Sequence, residues 1–123
     1  MAPAPTLGLT HLALSVRDPE RSLAVYAQAF GVTEYYRDEE EIQVQGPGPH
    51  DVLAFARDPD NAGKPGGIAH FGFRVAAPSD IDSAVDAALA AGGKLLRRGE
   101  FAPGLPFAYV ADPDGYEIEL WYE

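Results

Sequence analysis

Two histidines, His11 and His70, occupy the same place in two similar segments, "LTHLALSV" (9–16) and "IAHFGFRV" (68–75), which align without a gap at an offset of 59 residues. Near the other end, "YEIELWYE" (116–123) carries the carboxylates Glu117 and Glu119. Two neutral imidazoles and one carboxylate suit Zn, Fe(II), Mn or Ni, and with a divalent ion they leave a net charge of +1. A set of three protein ligands keeps positions open for water or substrate, whereas a closed structural site more often uses four. The spacing is long-range, so no short motif of the HExxH kind carries the signal. It rests on the repeat equivalence of the histidines. For one histidine alone in an apolar strand, the competing reading is a hydrogen-bonded core residue.

Alternation along strands determines which of these side chains share a face. In the first segment Leu12, Leu14 and Val16 are the apolar set, and His11, Ala13 and Ser15 point the other way. In the second, Phe71, Phe73 and Val75 face one side and His70, Gly72 and Arg74 the other. In the C-terminal segment, Ile118, Leu120 and Tyr122 oppose Glu117, Glu119 and Trp121. The polar faces are either solvent-exposed sheet or the lining of a concave cavity formed where two modules curl together. The metal-ligand chemistry favours the cavity.

The elements around each histidine repeat as well. After the first segment, "RDPERSLAVYAQAFG" reads as a helix with Asp18 as N-cap, Pro19 in the first turn, Gly31 as the stop, and Leu23, Tyr26, Ala27 and Phe30 on the buried face. After the second, "AAPSDIDSAVDAALAAGG" reads as a helix with Ser79 and Asp82 as a capping box, apolar Ile81, Val85, Ala88 and Leu89, and Gly92–Gly93 as the end. Strands are expected at 32–37, 41–45 and 51–57 in the first module, and at 94–101, 107–112 and 116–123 in the second. "DPDG" (112–115) reads as a type I turn with Gly115 as its left-handed exit. The expectation is an α+β chain of two βαβββ modules whose curved sheet surrounds a metal and substrate cavity. It forms a single domain over 1–123, with module one at about 8–57, a Gly/Pro/Asp-rich linker at about 58–67, and module two at about 68–123.

The bulk numbers narrow the partners. A chain of 123 residues with 46% hydrophobic and 23% charged content suits one compact domain with its own core. The net charge of −10 argues against nucleic acid and against anionic membrane surfaces, since phosphate binding needs clustered Lys and Arg. The acidic run "RDEEE" (37–41) reads as a solvated turn, and local basic points stand at Lys94, Arg97 and Arg98. There is no cysteine, hence no disulfide framework and no thiolate chemistry. No apolar run approaches the length of a membrane span. The opening "MAPAPTLG" has neither the basic nor the apolar region of a signal peptide, so a cytoplasmic location is expected.

Taken together, "THLALSVRDPERSLAVYAQAFG", "AHFGFRV" and "VADPDGYEIELWYE" resemble the vicinal oxygen chelate superfamily, which includes glyoxalase I, type I extradiol dioxygenases, fosfomycin-resistance transferases and bleomycin-resistance binding proteins. The resemblance covers nearly the whole chain, and "DPDGYEIEL" is its most specific piece. It implies His11, His70 and Glu119 as ligands of one divalent metal ion (Fe, Zn, Mn or Ni) and Tyr109 as a catalytic group that hydrogen-bonds substrate. It implies a small substrate held through two neighbouring oxygens, with Lewis-acid stabilisation of an enolate, or oxygen activation if the metal is iron. It also implies a homodimer in which His11 comes from one chain and His70 with Glu119 from the other. Arg74, Gln43, Gln45, Tyr36, Phe55 and Trp121 are candidates to line the pocket, and "FAPGLP" (101–106) is either a lid or a strand end.

The departures from the family pattern are specific. Metal-binding glyoxalases I place a fourth, glutamate ligand in the last strand of module one, and extradiol enzymes place a catalytic histidine in about the same strand; here Ala54 stands there. His50 precedes that strand and reads as a turn residue. "GEFAPGLPFAY" lacks the serine-rich potassium loop of the fosfomycin transferases. The functional expectation is a divalent-metal-dependent enzyme of dioxygenase-like or glyoxalase-like lyase type. The alternative is a non-catalytic, bleomycin-resistance-like protein that binds a small molecule or antibiotic, and a scaffold role ranks last.

Overall fold

The structure, a computed structural model, describes residues 5, 7 and 9–122. Gly8 and Glu123, the expected ends of the two modules, and most of the leader lie outside the described residues. Strand β1 (His11–Val16) is followed by helix α1 (Pro19–Phe30) and strands β2 (Thr33–Arg37), β3 (Glu41–Gln45) and β4 (Val52–Arg57). The pattern then recurs as β5 (Phe71–Val75), α2 (Ser79–Ala90), β6 (Lys94–Ala102), β7 (Leu105–Ala111) and β8 (Glu117–Tyr122). Each half makes one mixed four-stranded sheet, ordered β1-β4-β3-β2 and β5-β8-β7-β6, with β1 parallel to β4 and β5 parallel to β8. The two sheets do not close on each other, and β1 and β5 are edge strands.

Local chemistry explains the elements. Asp18, extended at φ −144°, accepts the Glu20 N–H at 3.0 Å, Pro19 opens α1, and Gly31 at φ 71° closes it with its N–H on the Ala27 carbonyl. The expected capping box at α2 does not form. Ser79 is already helical, the preceding cap residue is Pro78, and the Asp80 carboxylate instead accepts the Ala77 N–H at 3.1 Å. "FAPGLP" is the tip of the β6–β7 hairpin, with Gly104 at φ 79°. β5 starts later than its sequence suggests. A turn in which the Ile68 N–H reaches the Pro65 carbonyl leaves Ile68 exposed, and pairing with β8 begins only at Phe71 opposite Ile118. His70 therefore stands at the mouth of the strand and not within it.

One core serves both halves. Leu14, Val16, Val44, Leu53 and Phe55 of the first sheet and Val110, Ile118 and Leu120 of the second belong to the same buried cluster. Tyr26 of α1 packs against Phe55, with ring centroids 4.8 Å apart, and Phe30 stacks on Phe73 of the other half at 4.4 Å. Phe55 is thus a core residue, which corrects its expected place in the pocket. It lies opposite Leu14 and Ile42 in register, on the helix-facing side, whereas its neighbour Ala54 takes the opposite face.

The turn "DPDG" clasps the halves together. Asp112 Oδ1 accepts the backbone N–H groups of Asp114, Gly115 and Tyr116 at 2.9–3.0 Å, and its Oδ2 accepts the Tyr26 hydroxyl at 2.7 Å. Burial pushes the Asp112 carboxyl above the usual carboxylate range, and burial with the Asp112 charge pushes the Tyr26 phenol well above its own. Asp114 Oδ1 accepts from Arg17 Nη1 at 3.0 Å and Arg21 Nη2 at 3.2 Å, and the Tyr116 hydroxyl donates to the Ser15 carbonyl at 2.8 Å. Gly63 closes against this turn at φ 79°, where an added Cβ would stand 2.1 Å from the Asp114 carbonyl oxygen. Gly63→Ala is accordingly expected to cost about 1–3 kcal/mol of folding stability, read as a lower denaturant midpoint with an unchanged m-value.

Candidate functional site

Glu119 lies at the centre of one sheet face because its register partners leave room for it. On one side is Gly72 of β5 and on the other Tyr109 of β7. A Cβ on Gly72 would come within 2.6 Å of the Glu119 carbonyl oxygen and 3.2 Å of its Cβ, so only glycine lets β5 approach the carboxylate-bearing strand this closely. At the start of β5, His70 turns toward the same face, with its Nε2 3.5 Å from Glu119 Oε1. The His70 ring meets the Tyr109 ring edge-on at 5.0 Å. The Glu119 side chain is 17% exposed and that of Glu117 39%, which separates the two carboxylates that alternation alone puts on one face. Glu117 is already engaged, accepting from Arg97 Nη2 at 3.1 Å.

Arg97 is a residue the sequence reading did not place in the site. Its guanidinium lies 3.9 Å above the centre of the Tyr109 ring, a cation–π contact across the β6–β7 pair. Simple alternation does not reveal it, because β6 shifts register between Leu95 and Arg97. Burial, and after it the Glu119 carboxylate, push the Tyr109 phenol above its ordinary pKa while Arg97 pulls it down. Tyr109 therefore keeps its proton at neutral pH and is a hydrogen-bond donor. Further along the face, Trp121 stacks on Phe101 with centroids 4.5 Å apart and planes 14° apart, and Phe107 lies opposite Trp121 in register. Arg74 is exposed on edge strand β5 opposite Trp121.

The first half presents the equivalent face with different chemistry. His11 of β1 opens onto a cavity of about 250 Å³ shared with Gln43, Gln45, Tyr35, His50 and Val52. Tyr35 takes the place expected for Tyr36. A register shift between Glu34 and Tyr36 brings the Tyr35 hydroxyl to Gln43 Oε1 at 2.8 Å, and Tyr36 instead donates to Asp38 at 3.0 Å. Ala54 is the structural counterpart of Glu119, because Ala54 lies opposite Ala13 as Glu119 lies opposite Gly72, its repeat partner. Within one chain, and among the described residues, no three His, Asp or Glu side chains gather closely enough to hold a metal ion. His70 and Glu119 meet, and His11 belongs to the other face. A second cavity, of about 170 Å³, runs between the halves along Leu12–Ser15 and Ile68–Phe71, with His70 at its edge. No helix among the described residues is long and apolar enough to cross a membrane.

The family model described as the Glyoxalase/Bleomycin resistance protein/Dioxygenase superfamily matches residues 8–120. Among curated protein sequences none matches significantly. A glyoxalase-related enzyme from Fulvimarina pelagi is 27% identical and superposes with a TM-score of 0.76 over 96% of this chain and 89% of its own. The genomically encoded fosfomycin resistance protein FosX from Listeria monocytogenes is 18% identical, with a TM-score of 0.81 over 97% of this chain and 95% of its own. Lactoylglutathione lyase from Agrobacterium tumefaciens is also 18% identical, with a TM-score of 0.72 over 97% of this chain and 96% of its own. A mutant of the Listeria protein has a structure complexed with Mn(II) and 1S,2S-dihydroxypropylphosphonic acid.

Proposed function

Because the chain belongs to the Glyoxalase/Bleomycin resistance protein/Dioxygenase superfamily, we propose that it is a divalent-metal-dependent enzyme acting on a small substrate through two neighbouring oxygens, as a glyoxalase-like lyase or a dioxygenase-like enzyme. The observation that carries this reading is the pair His70 and Glu119, 3.5 Å apart on a face where Gly72 makes room and Tyr109 stands beside them. Two donors bound about 2.0–2.2 Å from a common ion are separated by roughly 3–3.5 Å, so the pair is spaced as adjacent ligands are. A nitrogen and a carboxylate oxygen fit a first-row divalent ion. The residues that would hold it are His11, His70 and Glu119, and when bound it would supply Lewis-acid polarisation of the substrate's neighbouring oxygens.

The chain's own groups do the rest. Tyr109, which keeps its proton at neutral pH, donates a hydrogen bond to a substrate oxygen. Arg97 holds the Tyr109 ring from above and is itself held by Glu117. The stacked Phe101–Trp121 pair forms an apolar wall on one side, while Gln43, Gln45 and Tyr35 line the other half's face.

A homodimer completes the site. In this arrangement His11 of one chain meets His70 and Glu119 of the other, next to the edge strands β1 and β5. Sedimentation of the purified protein is expected to give twice the chain mass; a monomer that nonetheless holds metal in a three-ligand site would reject the shared arrangement. The activity is tested with methylglyoxal–glutathione adducts in the presence of Ni or Zn, and with catechols under air in the presence of Fe(II). The expected result is turnover in one of the two that is lost in Glu119→Ala. The flat Phe101–Trp121 wall and the missing carboxylate at Ala54 favour one second reading, a binding protein that sequesters an aromatic ligand. Tight ligand binding without turnover in either assay selects it.

A further inference from the structure

The repeat relation leaves the first half without a carboxylate at Ala54, but the same geometry offers another donor. His11 lies directly opposite Val52. Ala54 lies two residues beyond Val52 on β4, and His50 lies two residues before it, in the turn that leads into the strand. His11 and His50 open onto the same cavity of about 250 Å³. The turn that carries His50 is fastened from inside the site. Gln45, also in the cavity wall, donates through Nε2 to the carbonyls of Gly48 and Pro49, each at 3.0 Å. The Gly46 N–H closes the same turn on the Asp51 carbonyl at 2.8 Å. The Gln45 side chain thereby holds the two residues that precede His50.

We propose that His50 is a metal ligand, the second imidazole contributed by the first half in place of the carboxylate missing at Ala54. This rests on the reading above that His11, His70 and Glu119 hold a divalent ion. The resulting set, three imidazoles and one carboxylate, is neutral in its histidines and singly negative in Glu119, and it favours Fe(II), Ni(II), Co(II) or Zn(II) over Mn(II) and Mg(II). Gln45 is then a positioning residue, acting through the turn.

The chain has three histidines, so the ligands can be counted. Full-length protein labelled with heavy nitrogen at histidine is titrated with Co(II) alone, and the hyperfine-shifted imidazole resonances are recorded together with the dissociation constant. The expected result is three shifted imidazoles in the wild type and two in His50→Ala. Co(II) affinity should fall by at least about tenfold, since even outer-shell losses cost 10–100-fold. His50→Gln is expected to behave as His50→Ala, and thermal melts of the metal-free proteins check that both variants fold. Two shifted imidazoles in the wild type, with affinity unchanged in His50→Ala, overturn the proposal while leaving the three-ligand reading intact. Failure of the wild type to bind Co(II), or indifference to His70→Ala, overturns both.

Discussion

Glu119→Ala is expected to reduce metal content from near one ion per chain to well under a tenth, after the same re-metallation and dialysis. Three features concentrate the effect at this residue. Its side chain is the less exposed of the two carboxylates on the face, it lies 3.5 Å from His70 Nε2, and the bare backbone of Gly72 makes room for it. Removing it deletes the single anionic donor of the set, so a binding loss of about 100-fold or more is expected, beyond what removal of an outer partner costs. Glu117→Ala is the control, because it removes the same charge two residues away on the same strand and face. Its carboxylate is spent on Arg97, and metal content should stay within about twofold of wild type. Elemental analysis of the three proteins decides the matter. Equal metal in wild type and Glu119→Ala would falsify the ligand assignment, and equal loss in both variants would point to general electrostatics rather than coordination.

The second large effect is on folding. Asp112→Ala is expected to destabilise the protein by about 3 kcal/mol or more, a fall of about 10 °C or more in Tm at this chain length. One carboxylate accepts three backbone N–H groups and the buried Tyr26 hydroxyl, and alanine would leave all four donors without that acceptor. Tyr26→Phe removes one of these bonds and is expected to cost about 1–2 kcal/mol. The double variant should cost less than the sum, because the two residues share one interaction. The pH dependence has a definite sign. Burial raises the Asp112 pKa in the folded state, so the native protein holds this proton more tightly than the unfolded chain does. The associated stability is fully present below the ordinary carboxylate value and is lost as pH rises through the raised folded value. The gap between wild type and Asp112→Ala should therefore narrow from acid toward neutral pH. Calorimetric melts across that range check it, and a gap that widens with pH would contradict the buried, raised carboxyl.

Much of the architecture was legible before any coordinates. The 59-residue repeat and the capping residues of α1 are local signals, and the structure carries both. So is the "DPDG" turn, with Gly115 at φ 101°. Alternation also put His70, Glu119 and Trp121 on one side of the second sheet and His11 on the corresponding side of the first. The same rule places Phe55 on the core side, since it is one residue from Ala54.

What the sequence by itself determined, then, is the set of strands and helices and the face that His11, His70, Glu119 and Trp121 occupy, because alternation and capping depend only on near neighbours along the chain. Tertiary structure decided the rest. The register shifts in β2 and β6 bring Tyr35 and Arg97 to the site in place of their neighbours, and such bulges are set by pairing with the adjacent strand. The clasp of Asp112 and Asp114 on Tyr26, Arg17 and Arg21 joins residues about ninety positions apart. The separation of His11 from His70 and Glu119 within one chain, and the company His11 keeps with His50, follow from how two half-sheets pack on a shared core without closing on each other. Those contacts are fixed by the fit of distant surfaces, which no periodicity along the chain encodes.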